Sequence, residues 1–222
     1  MSYILLFSSV LVGFLIAFLL RKKELRNFEV FLAFSGGFLL SITVFELLPE
    51  VFATPSKSVG VYIMIGVLLQ IFLEFLSKGA EHGHIHFHEE DKAFPWMLFI
   101  SLCIHAFIEG MPISEKNNLL LAIIVHKIPV AIILSYFFMS AHYSIKKTLF
   151  FICLFGLMSP LGNFIAHNFE GIEVYEVQLN ALVIGIFLHV STTILFESSK
   201  NHQFDAKKMA AVLVAVVLAY LV

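Results

Sequence analysis

Eight long apolar stretches separated by short polar connectors constrain the fold of this chain more than any other feature. Each stretch has about the 20 apolar residues that a helix needs to cross a bilayer. Transmembrane strands would alternate apolar and polar residues over about ten positions, and these stretches do not alternate. The sequence therefore predicts an all-α polytopic membrane protein, with a single transmembrane domain over residues 1–222. The expected helices cover residues 2–20, 28–52, 59–77, 94–114, 118–140, 147–168, 177–199 and 206–222.

The residue composition agrees with a membrane protein and excludes other classes. Hydrophobic residues make up 59% of the chain, among them 25 phenylalanines, and charged residues only 14%. A soluble domain of this size could not bury so much apolar surface. The sequence has no basic patch with interleaved aromatic residues, so we expect no nucleic acid partner. The expected surroundings of the chain are the lipid bilayer.

Basic residues are distributed unevenly between the connectors. Eleven of the 14 lysines and arginines lie in or beside the connectors that follow helices 1, 3, 5 and 7, whereas those after helices 2, 4 and 6 hold only Lys57 and Lys116. Because basic residues favour the cytoplasmic side, we expect both termini outside the cytoplasm. No organellar targeting segment is evident, so the expected location is the inner (cell) membrane, crossed several times.

The connector at residues 78–93 is rich in histidine and acidic residues and is expected on the cytoplasmic side. Its histidines are His82, His84, His86 and His88, and three acidic residues follow them. Imidazole and carboxylate groups suit weak, exchangeable binding of a transition metal. The alternative is a solvated loop whose charges keep it out of the bilayer.

Two histidines and one glutamate lie inside predicted helices 4 and 5, where polar side chains are costly and are functional candidates. From the helical rise, His105 lies about 13 Å and His126 about 12 Å below the outer surface, so both are near the midplane. Glu109 follows His105 by four residues and therefore shares its helical face. Because the connector between the helices is short, we expect them to be neighbours. Two imidazoles and a carboxylate are the minimum of a divalent metal site.

Two prolines lie within the same predicted helices. Pro112 and Pro129 each remove one backbone hydrogen bond and crowd the carbonyl four residues earlier. We therefore expect loosened turns at Glu109 and at His126, where freed carbonyls can bind an ion or water. An ordinary kink in each helix is the alternative.

Polar residues on three other helices are candidates for further ligands or for the path of an ion. Helix 2 carries Glu46 and Glu50, again four residues apart, with Glu50 near the outer mouth. Helix 6 carries Ser159 and Asn163, which could instead satisfy backbone groups around its proline. Helix 7 carries His189, about 18 Å from its outer end by the helical rise.

These residues, in this order, resemble the ZIP (Zrt/Irt-like) family of divalent metal transporters over essentially the whole chain. The features that carry the resemblance are Gly36-Gly37 and Leu47-Leu48-Pro49-Glu50, the histidine loop, His105-x-x-x-Glu109-Gly110, His126-Lys127-x-Pro129, Ser159-Pro160-Leu161-Gly162 and Gly185 to His189. The resemblance implies an eight-helix bundle with both termini outside. It also implies a metal site shared by helices 4 and 5.

Carried over to this sequence, the resemblance implies that His105, Glu109 and His126 are metal ligands. Lys127 stands where some members have a carboxylate of a second metal site, so its ammonium could replace a second cation. Val130 stands where the family has a metal-bridging glutamate. With that carboxylate missing, Glu46, which replaces a frequent histidine of the family, or His189 or water would complete the shell.

The expected function is transport of a divalent transition metal, Zn²⁺ first and Fe²⁺, Mn²⁺ or Co²⁺ as alternatives, by alternating access to the midplane site. The resemblance implies movement toward the cytoplasm. We expect no enzyme activity and no resident cofactor, and a homodimer is the candidate assembly. An intramembrane zinc-dependent hydrolase is one alternative, although no HExxH motif is present and Glu46 would have to be the base. A transport-impaired metal-sensing relative, suggested by Val130, is the other.

Overall fold

The computed structural model describes residues 2–20, 28–53, 58–77, 79, 94–114, 118–197 and 205–222. Within these ranges the chain forms eight helices and no strand. They are α1 Ser2–Leu20, α2 Phe28–Ala53, α3 Val59–Ser77, α4 Trp96–Gly110, α5 Leu119–Ser140, α6 Ile145–Asn168, α7 Glu176–Glu197 and α8 Ala206–Leu221. A short 3-10 turn, Glu173–Tyr175, precedes α7.

The predicted all-α polytopic bundle is confirmed for the described part of the chain. Six helices, α1, α2, α3, α5, α6 and α7, are long and apolar enough to cross a membrane. The other two are shorter, with 15 residues in α4 and 16 in α8. The placement of both termini outside the cytoplasm stays a prediction.

Helix α4 ends earlier than the sequence indicated. It was expected to continue to residue 114, with Pro112 inside it, but it ends at Gly110. The backbone N–H of Met111 bonds to the carbonyl of Ile108 at 3.1 Å, which tightens the last turn. Pro112 has no N–H to donate to the carbonyl of Ile108, and the Met111 N–H takes that carbonyl instead. Pro112 therefore terminates α4 rather than kinking it.

Helix α2 contains a wide turn that the sequence analysis did not predict. Residues Thr43–Leu47 are π-helical, and Leu48 N–H bonds to the carbonyl of Thr43, five residues earlier. Pro49 would crowd the carbonyl four residues before it in a regular α-helix, and the wider turn makes room for its ring. The wide turn includes Glu46, so it changes the direction in which that carboxylate points.

The helices pack as two groups of four. In the first group α1 packs on α5 and α6, and α6 also contacts α4. In the second group α2 packs on α8 and α7, and α3 packs on α7. The two groups meet mainly where α2 contacts α5 and where α3 contacts α4. An ion pair of 2.7 Å between Lys208 and Glu29 places the starts of α2 and α8 at the same end of the bundle.

Glycines allow two helix pairs to approach backbone to backbone. A Cβ atom on Gly162 of α6 would lie 1.9 Å from the carbonyl oxygen of Phe107 on α4. A Cβ on Gly185 of α7 would lie 2.0 Å from the carbonyl oxygen of Ile63 on α3. Small residues at such crossings are typical of membrane helices, whose association depends on close packing. The first crossing fixes α4, which carries two of the candidate ligands, against α6.

Candidate metal centre

His105, Glu109 and His126 lie together in the interior of the bundle. Their ligand atoms are all within 4.8 Å of one another. Among the described residues, they form the one group of three or more His, Cys, Asp or Glu side chains that could hold a metal ion. The three residues are only 1–2% exposed. His105 and Glu109 are one turn apart on α4, as their spacing predicted, and His126 comes from α5. The structure thus gathers two imidazoles and a carboxylate in a space closed to solvent.

The orientation of His105 is set by Gln70 of α3. His105 Nδ1 lies 3.0 Å from Gln70 Oε1, and because an amide oxygen accepts, Nδ1 donates. In a neutral imidazole the other nitrogen, Nε2, then carries the lone pair. That atom faces Glu109 Oε2 at 3.3 Å. A hydrogen bond of this kind commonly orients a metal-binding histidine, so Gln70 has the geometry of an orienting residue.

Sequence reasoning missed Gln70, although a signal was present. Gln70 is fully buried in an otherwise apolar part of α3. A polar amide in a membrane helix is a functional candidate for the same reason as the buried histidines. Its pairing with His105, 35 residues away, depends on tertiary packing and could not be read from spacing.

His126 faces His105 across the interior, in agreement with the depths estimated from the helical rise. The ring centroids are 6.2 Å apart with the planes at 74°. Helix α5 packs mainly on α1 and α2, and α4 mainly on α6 and α3. The two imidazole rings therefore face each other although α4 and α5 each pack mainly on other helices.

Lys127 neutralises the carboxylate of the cluster. Its Nζ lies 2.6 Å from Glu109 Oε1, and both side chains are 1% exposed. The ammonium also lies 4.7 Å from the centre of the Phe155 ring, a cation–π contact. Of the two oxygens of Glu109, Oε1 contacts the ammonium of Lys127, and Oε2 faces Nε2 of His105. The position next to His126 therefore holds a fixed positive charge.

Helix α6 braces the carboxylate and the end of α4. Ser159 Oγ lies 3.0 Å from Glu109 Oε1 and also donates to the carbonyl of Ala106. Asn163 Nδ2 donates to the carbonyl of Ile113 at 2.7 Å. Asn163 is thus engaged with the backbone beyond α4 and lies outside the three-residue cluster. From the sequence, the expected alternative partners of Ser159 and Asn163 were backbone groups around the proline of α6. In the structure they donate instead to the carbonyls of Ala106 on α4 and of Ile113 after it.

Val130 and Pro129 follow the cluster along α5. Val130 is 4% exposed and belongs to an apolar cluster with residues of α1, α4 and α6. The position that carries a glutamate in the family pattern therefore contributes packing here and no ligand. Pro129 lies inside α5, so the carbonyl of Val125 has no helical N–H four residues later to bond to.

Glu46 is bonded to the start of α5. Its two carboxylate oxygens accept from Asn118 N at 2.8 Å and from Asn118 Nδ2 at 2.9 Å. The contact joins the wide turn of α2 to the helix that carries His126. Glu50 is exposed at the end of α2. Neither carboxylate lies in the three-residue cluster.

His189 pairs with Glu74, a residue that the sequence analysis did not consider. His189 Nε2 and Glu74 Oε2 are 2.5 Å apart, and the two side chains are 20% and 18% exposed. Glu74 lies one turn after Gln70 on α3, toward the end of the helix that precedes the histidine-rich connector. The pair is separate from the central cluster. His82, His84, His86 and His88 lie outside the described residues.

Comparison with known proteins identifies the family. A family model described as ZIP Zinc transporter matches residues 77–221, well over half of the chain. The chain is also 27% identical over 132 residues to zinc transporter ZIP1 of Danio rerio, which covers 52% of this chain and 42% of that protein. The chain therefore spans less than half of the length of this relative. Both matches agree with the resemblance seen in the motifs of α4 to α7, and the protein belongs to the ZIP zinc transporter family.

Proposed function

We propose that this multi-pass membrane protein carries a divalent transition-metal ion, Zn²⁺ first, across the inner (cell) membrane toward the cytoplasm. The observation that carries the proposal is the buried cluster of His105, Glu109 and His126, contributed by two helices. Mixed imidazole and carboxylate ligands suit Zn²⁺, and Fe²⁺, Mn²⁺ and Co²⁺ accept similar shells. Membership of a family of zinc transporters supports the same function.

The geometry of the cluster fits a single ion after a small contraction. Ligand atoms around a tetrahedral zinc are about 3.3–3.6 Å apart, from bond lengths of about 2.0–2.2 Å. His105 Nε2 and Glu109 Oε2 already have a separation of 3.3 Å. The largest separation in the cluster is at most 4.8 Å, so the site closes around an ion by a shift of about an ångström. A fourth position is left for water.

Lys127 supports a mononuclear site. A second divalent ion bridged by Glu109 would need the oxygen that the ammonium now contacts at 2.6 Å. Like charges so close in a buried site repel strongly. Val130 also removes the second carboxylate that such an ion would need. We infer that the ammonium takes the place of the second cation.

The ion would approach the cluster from the side of Glu46 and Glu50 and leave past the Glu74–His189 pair. Gln70, which contacts His105, and Glu74 are one helical turn apart on α3. Beyond Glu74 the chain leads into the connector with His82 to His88, which supports a role of that connector in receiving the ion. Direction and energy coupling belong to the proposal.

Two alternatives are less well supported. A zinc-dependent hydrolase needs a general base beside the metal, but Glu46, the residue nominated for that role, is bonded to Asn118. A transport-impaired metal-sensing relative is suggested by Val130 alone. The remaining ligand atoms of His105, Glu109 and His126 lie within 4.8 Å of one another, which supports binding of an ion without that glutamate.

Uptake of radioactive Zn²⁺ into proteoliposomes that contain the pure protein tests the proposal. We expect saturable uptake that falls to the background of empty liposomes in His105→Ala. The matched control is His142→Asn, at an exposed histidine of the α5–α6 turn with φ of 60°, a conformation that asparagine adopts readily. This control should transport as the native chain does. Tight Zn²⁺ binding without any uptake would refute transport and favour the sensing relative.

A further inference from the structure

A cavity of about 130 Å³ lies between the two helix groups, at the end of the bundle where α4 and α6 end and α7 begins. Met111 and Pro112, directly after α4, form one wall. They follow Glu109 by only two and three residues. The wall of the cavity therefore comes directly after the central cluster along the chain. By the predicted orientation it is on the outer side.

His167 of α6 presents one ring nitrogen as a ligand at this cavity. Its Nδ1 lies 2.9 Å from the carbonyl oxygen of Asn163, and because a carbonyl only accepts, Nδ1 carries the proton. The lone pair of a neutral ring is then on Nε2, as in a typical metal-binding histidine whose other nitrogen is held by the backbone. Asn163 is itself fixed by its bond to Ile113. The orientation of His167 is thus set by helix α6.

Three further polar side chains line the same space, those of Ser114, Glu176 and Asn180. Asn180 of α7 is only 6% exposed, and it lines the cavity. Its amide oxygen can accept from a water molecule bound to a cation or can bind the cation itself. Glu176, at the start of α7, also lines the cavity and contributes a negative charge. The cavity is therefore lined by one carboxylate, one imidazole, one amide and the hydroxyl of Ser114, and His167 and Glu176 are exposed.

We propose that this cavity is a capture site for a partly hydrated divalent transition-metal cation. His167 Nε2 binds the ion directly, and Glu176 and Asn180 bind it or its water molecules. A volume of about 130 Å³ has room for an ion with several waters, since one water needs about 10–15 Å³ of such space. The metal binding does not depend on the proposed function. Only the role of the cavity as a first station before Glu109 rests on it.

Counting bound Zn²⁺ tests the site with the full chain. The starting protein has His82, His84, His86 and His88 changed to serine, so that the connector does not add ions. Equilibrium dialysis at saturating Zn²⁺ gives the number of ions per chain. His167→Asn should lower this number by one, and so should His105→Ala, whereas both changes together should lower it by two. His142→Asn, at an exposed histidine of the α5–α6 turn, is the control and should leave the number unchanged.

A second measurement follows the charge at the cavity. Glu176→Gln should weaken Zn²⁺ binding at this site about five- to tenfold, the effect of removing a charge a few ångströms from a partly solvated ion. The control is Glu170→Gln, an exposed acid in the preceding turn that does not line the cavity. In proteoliposomes Glu176→Gln should raise KM for Zn²⁺ and leave kcat unchanged.

The outcomes separate this proposal from the transport function. Loss of one ion in His167→Asn supports the capture site even if the native chain shows no uptake, in which case only the transport proposal fails. An unchanged ion count in folded His167→Asn protein overturns the site. An equal loss in His142→Asn also overturns it, because the effect would then not be local. Thermal unfolding of each variant, compared with the starting protein, identifies the folded ones.

Discussion

Replacing Lys127 with methionine removes the positive charge of the central site while keeping a long, flexible side chain. In the native chain the ammonium is 2.6 Å from Glu109 Oε1, and both groups are 1% exposed. Removing one partner of such a buried pair leaves a carboxylate without compensation and costs about 3–5 kcal/mol. For a chain of this length, about 2–4 °C per kcal/mol gives a drop in Tm of about 6–20 °C without metal.

Bound Zn²⁺ should reverse much of this loss. In the native protein an entering ion shares Glu109 with the ammonium, whereas in Lys127→Met the ion is the only cation beside that carboxylate. We therefore expect Zn²⁺ to raise the Tm of Lys127→Met by more than it raises that of the native protein. Thermal unfolding of the purified protein, with and without Zn²⁺, measures both differences.

The matched control is Lys208→Met. Lys208 also forms an ion pair, 2.7 Å from Glu29, but the Glu29 side chain is 46% exposed. Solvent screening limits such a pair to about 0–1 kcal/mol, and the pair is far from the metal ligands. Equal losses of stability in the two methionine variants would contradict a role of Lys127 in compensating Glu109. A Zn²⁺-induced rise in Tm no larger in Lys127→Met than in the native protein would contradict it as well.

Three further predictions concern the surroundings of the site. Gln70→Leu removes the acceptor at His105 Nδ1 and should weaken Zn²⁺ binding about 10–100-fold in a competition titration, while Gln70→Glu keeps an acceptor and should bind better than Gln70→Leu. Gly162→Val places a side chain against the carbonyl of Phe107 and should lower the yield of folded protein sharply in size-exclusion chromatography, whereas Gly60→Ala, with open space around it, should not. Val130→Glu should destabilise the protein by several kcal/mol in thermal unfolding, because the position is 4% exposed and packed among apolar side chains; a stable variant that binds an additional Zn²⁺ would contradict this.

Helix positions followed from the sequence because lipid imposes a minimum length on each apolar segment. The expected ranges of α1 and α3, residues 2–20 and 59–77, match the observed Ser2–Leu20 and Val59–Ser77. The end of α4 and the wide turn of α2 did not follow, because both depend on how Pro112 and Pro49 are accommodated. A proline marks a disturbance of the helix but does not say whether the helix stops, kinks or widens.

The central cluster was predictable because helical spacing and helical rise are local quantities. The four-residue separation placed Glu109 beside His105, and the depth estimate placed His126 at the same level. The partners of these residues depend on packing between distant segments. Gln70 on His105, Ser159 on Glu109, Asn118 on Glu46 and Glu74 on His189 join residues 35, 50, 72 and 115 positions apart. That the cluster binds a metal stays a prediction.

Anomalous X-ray diffraction at the zinc edge, from crystals grown with Zn²⁺, shows whether His105, Glu109 and His126 bind the ion. The chain with His82, His84, His86 and His88 changed to serine avoids signal from the connector. We expect a strong anomalous peak about 2.0–2.2 Å from Nε2 of His105, from a ring nitrogen of His126 and from Oε2 of Glu109. A peak that appears elsewhere, for example beside Glu74 and His189, with none among these three residues, would contradict it.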